Sequence, residues 1–347
     1  MRTLHTWHDS FGVCPTYAKP QTNLGGNPSR SLWKPMSMHR LHQDHCSCRR
    51  RRKELETLTL MRSEIDVLSP KTIDEALRLR RQHLDELKIL AGGSDLIVQL
   101  RDGAVRTSKL LDISSLEELR FIREDQDRIK IGSLTTYNEI INSPIIRKHA
   151  WILAESARQI GATQLQNTAT IGGNLGNASP AGDSIPPLYA LDTTIITRSV
   201  AGRREIPIDQ FYLGYRKIAL RSDELIEQLY FKPLQPNDAA AYLKLGLRGA
   251  NAISLVDVAV ALREGNVNSF SKARVALGAV APTVRRALKC EKILQARPLD
   301  REIFREAAAL AAQEAAPIDD IRASSEYRRN VVSSLVYQAL CIAVLGE

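Results

Sequence analysis

Thr170-Ile-Gly-Gly-Asn-Leu-Gly-Asn-Ala-Ser-Pro-Ala-Gly-Asp183 is the stretch on which the reading of the chain turns. A glycine pair, two asparagines, a Ser-Pro and a closing acid predict a tight turn that lines up backbone N–H groups. Gly172 and Gly173 lack the Cβ atoms that would hold a ligand off the main chain, so the run suits a phosphate. Asp183 lies just beyond, where a carboxylate can accept hydrogen bonds from sugar hydroxyls.

A loop of the same character lies upstream, Ala91-Gly92-Gly93-Ser94-Asp95. It follows the apolar Leu87-Lys-Ile-Leu90 and precedes Leu96-Ile-Val98, a sequence of strand, tight turn and new apolar element. Two such loops in one chain suggest the two ends of a pyrophosphate. Neither fits G-x-G-x-x-G after a strand, nor G-x-x-x-x-G-K-[ST], so the common nucleotide motifs are absent.

Four motifs stand in order along the chain: Ala-Gly-Gly-Ser-Asp-Leu at 91–96, Thr-Ile-Gly-Gly-Asn-Leu with its tail at 170–183, Tyr-x-Lys-x-Gly-x-Arg with Ala-Ile-Ser at 242–254, and Asp-Ile-Arg-Ala-Ser-x-Glu-Tyr-Arg-Arg at 320–329. Together they resemble the FAD-binding medium subunit of the molybdenum hydroxylases, the family of xanthine dehydrogenase, aerobic carbon monoxide dehydrogenase and related aldehyde and aromatic-heterocycle oxidoreductases. The resemblance runs from about Met61 to the C-terminus. It implies an α+β fold in which a two-lobed FAD-binding domain, 61–236, is followed by a C-terminal α+β domain, 237–347, closing one side of the cofactor.

Further expectations come with the resemblance. Ala91, Gly92, Gly93, Ser94 and Asp95, with Thr170, Ile171, Gly172, Gly173 and Asn174, would hold the FAD pyrophosphate by backbone N–H groups. Asp183 would bind a sugar or adenine-side hydroxyl, and Ile160, Leu225 and Ile226 would pack against rings. Lys244 would face the isoalloxazine, where a cation stabilises the reduced, anionic flavin. The chain itself would carry no catalytic side chain and no metal. A small subunit with [2Fe–2S] clusters and a large subunit with the molybdenum cofactor would complete a heterotrimer, and electrons would leave to NAD+, a quinone or oxygen. Where the family commonly has an arginine this chain has Gln166, so one charge-assisted contact near the cofactor is either missing or supplied by another residue. The four-cysteine insertion of the hydroxybenzoyl-CoA-reducing branch is also missing.

Composition sets bounds on this reading. The 347 residues, 44% of them apolar, suffice for two or three domains with their own cores. Residues 1–60 carry +6 of the formal +9 charge, so the basic balance is largely a property of that segment. Cys290 and Cys341 are the only cysteines beyond it. Two thiols are too few for an iron–sulfur cluster, which needs about four ligands, and a disulfide-poor chain fits the cytoplasm. No apolar run is long enough to span a bilayer.

Residues 1–60 hold five of the seven histidines, two of the three tryptophans and the run Arg49-Arg-Arg-Arg-Lys53, without helical or strand periodicity. They read as a disordered basic extension or a mis-assigned start, with Met61 the natural beginning. His39, His42 and His45, followed by Cys46 and Cys48, could bind a metal, and the basic run could bind nucleic acid; a segment with no ligand role is the plainer reading.

Downstream, Thr72 predicts a capped helix with Asp74 and Glu75 in its first turn. Strands are expected at 87–90, 109–113, 128–132, 193–197 and 225–231, and helices at 96–100, from Tyr137, over 144–160 and at 188–191. Pro233 and Pro236 mark a boundary between domains. Beyond it come strands at 240–245 and 272–277, a helix or strand pair at 254–262, a Gly265-Asn266 turn, and helices near 299–314 and 324–345. Trp151 is expected in the core. Tyr212 and Tyr215 either approach the flavin or pack at a domain edge, and Arg248 and Arg274 belong on a solvated face. Asp320, Arg322, Tyr327 and Arg328 should fasten the last helix.

Outside the body of the family reading stand two alternatives, a free-standing FAD oxidase and a nucleic-acid-binding scaffold. The oxidase would need a general base, and His83 and His149 are the only histidines after Met61. There is no Ser-His-Asp or Cys-His arrangement to carry chemistry alone.

Overall fold

The computed structural model describes residues 65–265, 270–297 and 300–346. The readings made on residues 1–60, and Asn266 of the expected turn, lie outside them.

The described residues open with β1 (Asp66–Leu68), α1 (Ile73–His83), β2 (Leu87–Leu90), α2 (Leu96–Arg101) and β3 (Lys109–Asp112). Thr72 Oγ1 accepts the Glu75 N–H and starts α1, whose Ile73, Ala76 and Leu77 share one buried face. That face packs with Leu87 and Leu111 on a parallel three-stranded sheet of order β1-β3-β2.

Next come β4 (Ile122–Asp125), β5 (Arg128–Gly132), α3 (Tyr137–Asn142), α4 (Pro144–His149), α5 (Trp151–Arg158), α6 (Thr163–Thr168), α7 (Ile171–Asn177) and α8 (Ile185–Ala190). They are followed by β6 (Thr194–Ser199), β7 (Gly202–Pro207), α9 (Ile208–Phe211), the hairpin β8 (Tyr212–Gly214) and β9 (Lys217–Ile218), and β10 (Leu225–Phe231). An antiparallel sheet of order β4-β5-β10-β6-β7 organises this region. Its core gathers Ile129, Ile131, Leu229 and Phe231 from the sheet with Ile152, Leu153 and Leu188 from the helices.

Beyond Pro236 the chain forms β11 (Ala239–Gly246), β12 (Ser254–Glu264), β13 (Phe270–Gly278) and β14 (Arg285–Arg286), then α10 (Leu288–Ala296), α11 (Arg301–Glu314) and α12 (Ser325–Leu345). Strand periodicity divides the two faces of this antiparallel sheet. Val256, Val258, Val260 and Leu262 of β12 pack with the three helices, while Ala259 and Ala261 face the central core. Asp257 shares that second face.

Several expectations are corrected. The helix foreseen over 144–160 is two, because Ala150 leaves the helical region at φ −156° and ψ 45°. The His149 carbonyl that would continue the ladder accepts the Leu234 N–H at 2.8 Å instead. The pair foreseen at 254–262 is one long strand. Arg274 does not face solvent: its Nε donates to Asp192 Oδ1 at 2.8 Å. Tyr212 is half-buried, its hydroxyl shut off from solvent and its ring stacked on Tyr189, whereas Tyr215 is exposed. The Asp320 link forms through Arg322 and Arg328, which hold the Asp320 carboxyl well below the usual carboxylate range, but Tyr327 stays outside it.

Candidate functional site

The 91–95 loop is shaped by the protein's own backbone. A Cβ on Gly92 would stand 1.7 Å from the Thr168 carbonyl oxygen, so only glycine lets the loop lie against the end of α6. Gly93 follows at φ +69°, in the left-handed region. Among the described residues, no group accepts a hydrogen bond from the amides of Gly92, Gly93, Ser94 or Asp95. The Asp95 side chain accepts from Gln99 Nε2, which also reaches Asn177 Oδ1 at 3.2 Å. The two glycine-bearing segments, nearly eighty residues apart in sequence, are therefore neighbours.

The second segment is not the turn that its composition predicts. Residues 171–177 form α7, capped by Thr170 Oγ1, which accepts the Gly173 N–H at 3.1 Å. Its amides are engaged: Ile171 donates to Thr135 O at 3.0 Å, Gly172 to Ser133 O at 2.9 Å, and Asn174 to Thr170 O at 3.0 Å. Gly172 is there for packing, since a Cβ would come within 2.6 Å of Ser133. Three glycines and two asparagines disfavour a helix, each glycine by about 1 kcal/mol. The cap and the burial of Ile171 and Leu175, one turn apart on the same face, oppose that penalty.

Asp183 and Lys244 meet. Lys244 Nζ donates to Asp183 Oδ2 at 2.7 Å and to the Gln159 carbonyl at 2.9 Å, and the Ser254 hydroxyl donates to Asp183 Oδ1 at 2.6 Å. Only 5% of the lysine side chain and 9% of the aspartate side chain reach solvent. Burial pushes the Asp183 carboxyl up while Lys244 and Ser254 pull it back. An ammonium and a hydroxyl at these distances make it the acceptor of an ion pair.

The remaining expected residues fall around this pair in different ways. Gln166 Nε2 donates to the Arg158 and Ile160 carbonyls, closing the end of α5 where the family's arginine would stand. Ile160 is half-buried against the central core; Leu225 is buried under the first sheet, and Ile226 lies with its Cδ1 near Gly176 of α7. Gln159 and Asp257 were missed from sequence, and Tyr242 and Ser254 entered only as letters of the 242–254 motif, with no role. The signal for Asp257 is an acid in the middle of the apolar run Leu255–Leu262. Among the described residues no three His, Cys, Asp or Glu side chains gather as metal ligands, and no helix is long and apolar enough to cross a membrane.

Two family descriptions match the chain, the FAD binding domain in molybdopterin dehydrogenase over residues 63–232 and the CO dehydrogenase flavoprotein C-terminal domain over residues 241–342. The xanthine dehydrogenase FAD-binding subunit of Escherichia coli O157:H7 is 33% identical over 276 residues, 79% of this chain and 94% of that one. The nicotinate dehydrogenase FAD-subunit of Eubacterium barkeri is 30% identical over 288 residues, 82% of this chain and 97% of that one. Among solved structures, carbon monoxide dehydrogenase from Hydrogenophaga pseudoflava superposes with a TM-score of 0.78 at 30% identity, covering 81% of this chain and 97% of that one. With the fold, the paired glycine segments and the Asp183–Lys244 contact in place, the chain belongs to the FAD-binding medium subunits of the molybdenum hydroxylase family of oxidoreductases.

Proposed function

We propose that residues 61–236 carry FAD, that residues 237–347 close one side of it, and that the chain stands between a small [2Fe–2S] subunit and an electron acceptor, NAD+ or another. A large molybdenum subunit would hold the oxidised substrate. FAD, when bound, supplies a centre that takes electrons singly or in pairs, while the protein provides binding and electrostatics.

The observation that carries this reading is the set of amides at Gly92, Gly93, Ser94 and Asp95 without an acceptor among the described residues. Successive N–H groups in a turn that includes a left-handed residue suit a diphosphate. With the amides of Ile171, Gly172, Gly173 and Asn174 already engaged, that segment contributes as a wall that holds the 91–95 loop, with the cap residue Thr170 at its head. Asp183 and Lys244 would present to the cofactor as a neutral pair rather than as separate charges, and Ile160, Leu225 and Ile226 would supply apolar packing beside it. Cys290 and Cys341 are free and buried, which supports a reducing compartment such as the cytoplasm.

Reconstitution of the full chain tests the site. One FAD per chain is expected, released on denaturation, with riboflavin, which lacks the phosphates, binding at least 100-fold more weakly. Equal binding of the two flavins would overturn the diphosphate assignment. Copurification of iron and molybdenum with the chain, measured by metal analysis, tests the proposed partners.

A further inference from the structure

Behind the Asp183–Lys244 pair lies an acid that the proposed function does not use. Asp257 is completely buried in β12. Its Oδ2 accepts the Tyr242 hydroxyl at 3.3 Å, and its Oδ1 has no hydrogen-bond partner among the described residues. The carboxyl occupies room that exists only because residue 278 is glycine: a Cβ there would stand 2.1 Å from Oδ1 and 2.8 Å from the Pro186 ring. Lys244 is the cross-strand partner of Asp257, yet its ammonium goes to Asp183 and to the Gln159 carbonyl.

We propose that Asp257 keeps its proton in the folded protein and acts as a positioning residue, its neutrality leaving Asp183 as the single counter-ion of Lys244. The inference rests on the reading that Asp183 and Lys244 border the FAD site. One ammonium between two buried acids stabilises one carboxylate, and the second acid then holds a proton. Geometry decides which. Asp183 has the ammonium at 2.7 Å and a hydroxyl at 2.6 Å, whereas Asp257 has a single long contact from a phenol.

Among the described residues, the surroundings of Asp257 offer no other charge compensation. Strand β11 brings Lys244 and Tyr242, and the loop before α8 brings Asp183, a like charge. Helix α8 contributes one titratable side chain, Tyr189, which stacks on Tyr212. On β13 the residue opposite is Gly278, and Arg274, further along, is taken by Asp192 and Glu291. Burial and then the nearby Asp183 push the Asp257 carboxyl well above its usual range. An ionised Asp257 would draw Lys244 from Asp183 and add a buried negative charge beside the cofactor.

Infrared spectroscopy of the full chain tests this directly. At pH 7, where solvent-exposed carboxyls are ionised, the wild-type protein should show the carbonyl stretch of a protonated acid, shifted in D2O and absent from Asp257→Asn. The pH dependence of stability gives a second reading. A group that binds its proton more tightly when folded stabilises fully below its unfolded pKa and loses that contribution as pH rises to the folded value. Between about pH 4 and that higher value, the wild-type unfolding constant should therefore rise about tenfold per pH unit relative to Asp257→Asn. Absence of the band in wild type or its persistence in Asp257→Asn would overturn the inference. Should Asp257→Asn fail to fold, the wild-type band at pH 7 decides: its absence overturns the proposal and its presence up to pH 8 supports it. A failure of the FAD reading shows separately, as no flavin bound by either protein with the infrared band unchanged.

Discussion

Residues 91–95 and 170–177 carry the same letters at their heart, Gly-Gly followed by a small polar residue, and reach opposite outcomes. In the first, the pair turns the chain, one glycine lies against the Thr168 carbonyl, and four consecutive amides are left without an acceptor among the described residues. In the second, the pair sits inside the first turn of α7, and the amides are absorbed by Thr135, Ser133 and Thr170. A glycine pair thus marks close approach of backbone without saying to what. Here the approach is to the protein's own chain in both segments, and the free donors arise at only one of them.

The comparison can be broken experimentally. Gly92→Ala should have the largest effect, because its Cβ would overlap backbone at 1.7 Å and the loop would have to leave Thr168. A loss of about 3 kcal/mol or more in urea unfolding is expected, with FAD content per folded chain below one tenth of wild type. Retention of full FAD would show that these amides do not hold the cofactor. Gly172→Ala should rank second, about 1–3 kcal/mol, since Ser133 stands 2.6 Å from the added atom. Its FAD content per folded chain should stay close to wild type; a collapse equal to that of Gly92→Ala would erase the distinction between the segments. Smallest is Thr170→Ala, which removes the cap of α7 and should lower stability by about 1 kcal/mol, while FAD affinity changes less than threefold by fluorescence titration.

Much of the architecture was legible locally. Strands at 87–90, 128–132 and 225–231 fall where their patterns place them, and Thr72 caps its helix as its position before Ile73 suggests. What escaped was decided by partners far along the chain. Helix α7 defies its glycines because Ile171 and Leu175 enter a core assembled from many elements. The interruption at Ala150 answers to Leu234, more than eighty residues on. Lys244 and Asp183 were singled out one by one, but nothing in either segment announces that they bind each other across 61 positions.

Lys244 also ties regions together. Rising from β11, it reaches Gln159 at the end of α5 and Asp183 ahead of α8, while Trp151 Nε1 donates to the Ala240 carbonyl nearby at 3.1 Å. Swinging the C-terminal sheet outward would strip a desolvated cation of every partner at once. The assembly is accordingly a latch rather than a hinge: one ammonium pins the C-terminal sheet to the end of α5 and to the loop ahead of α8.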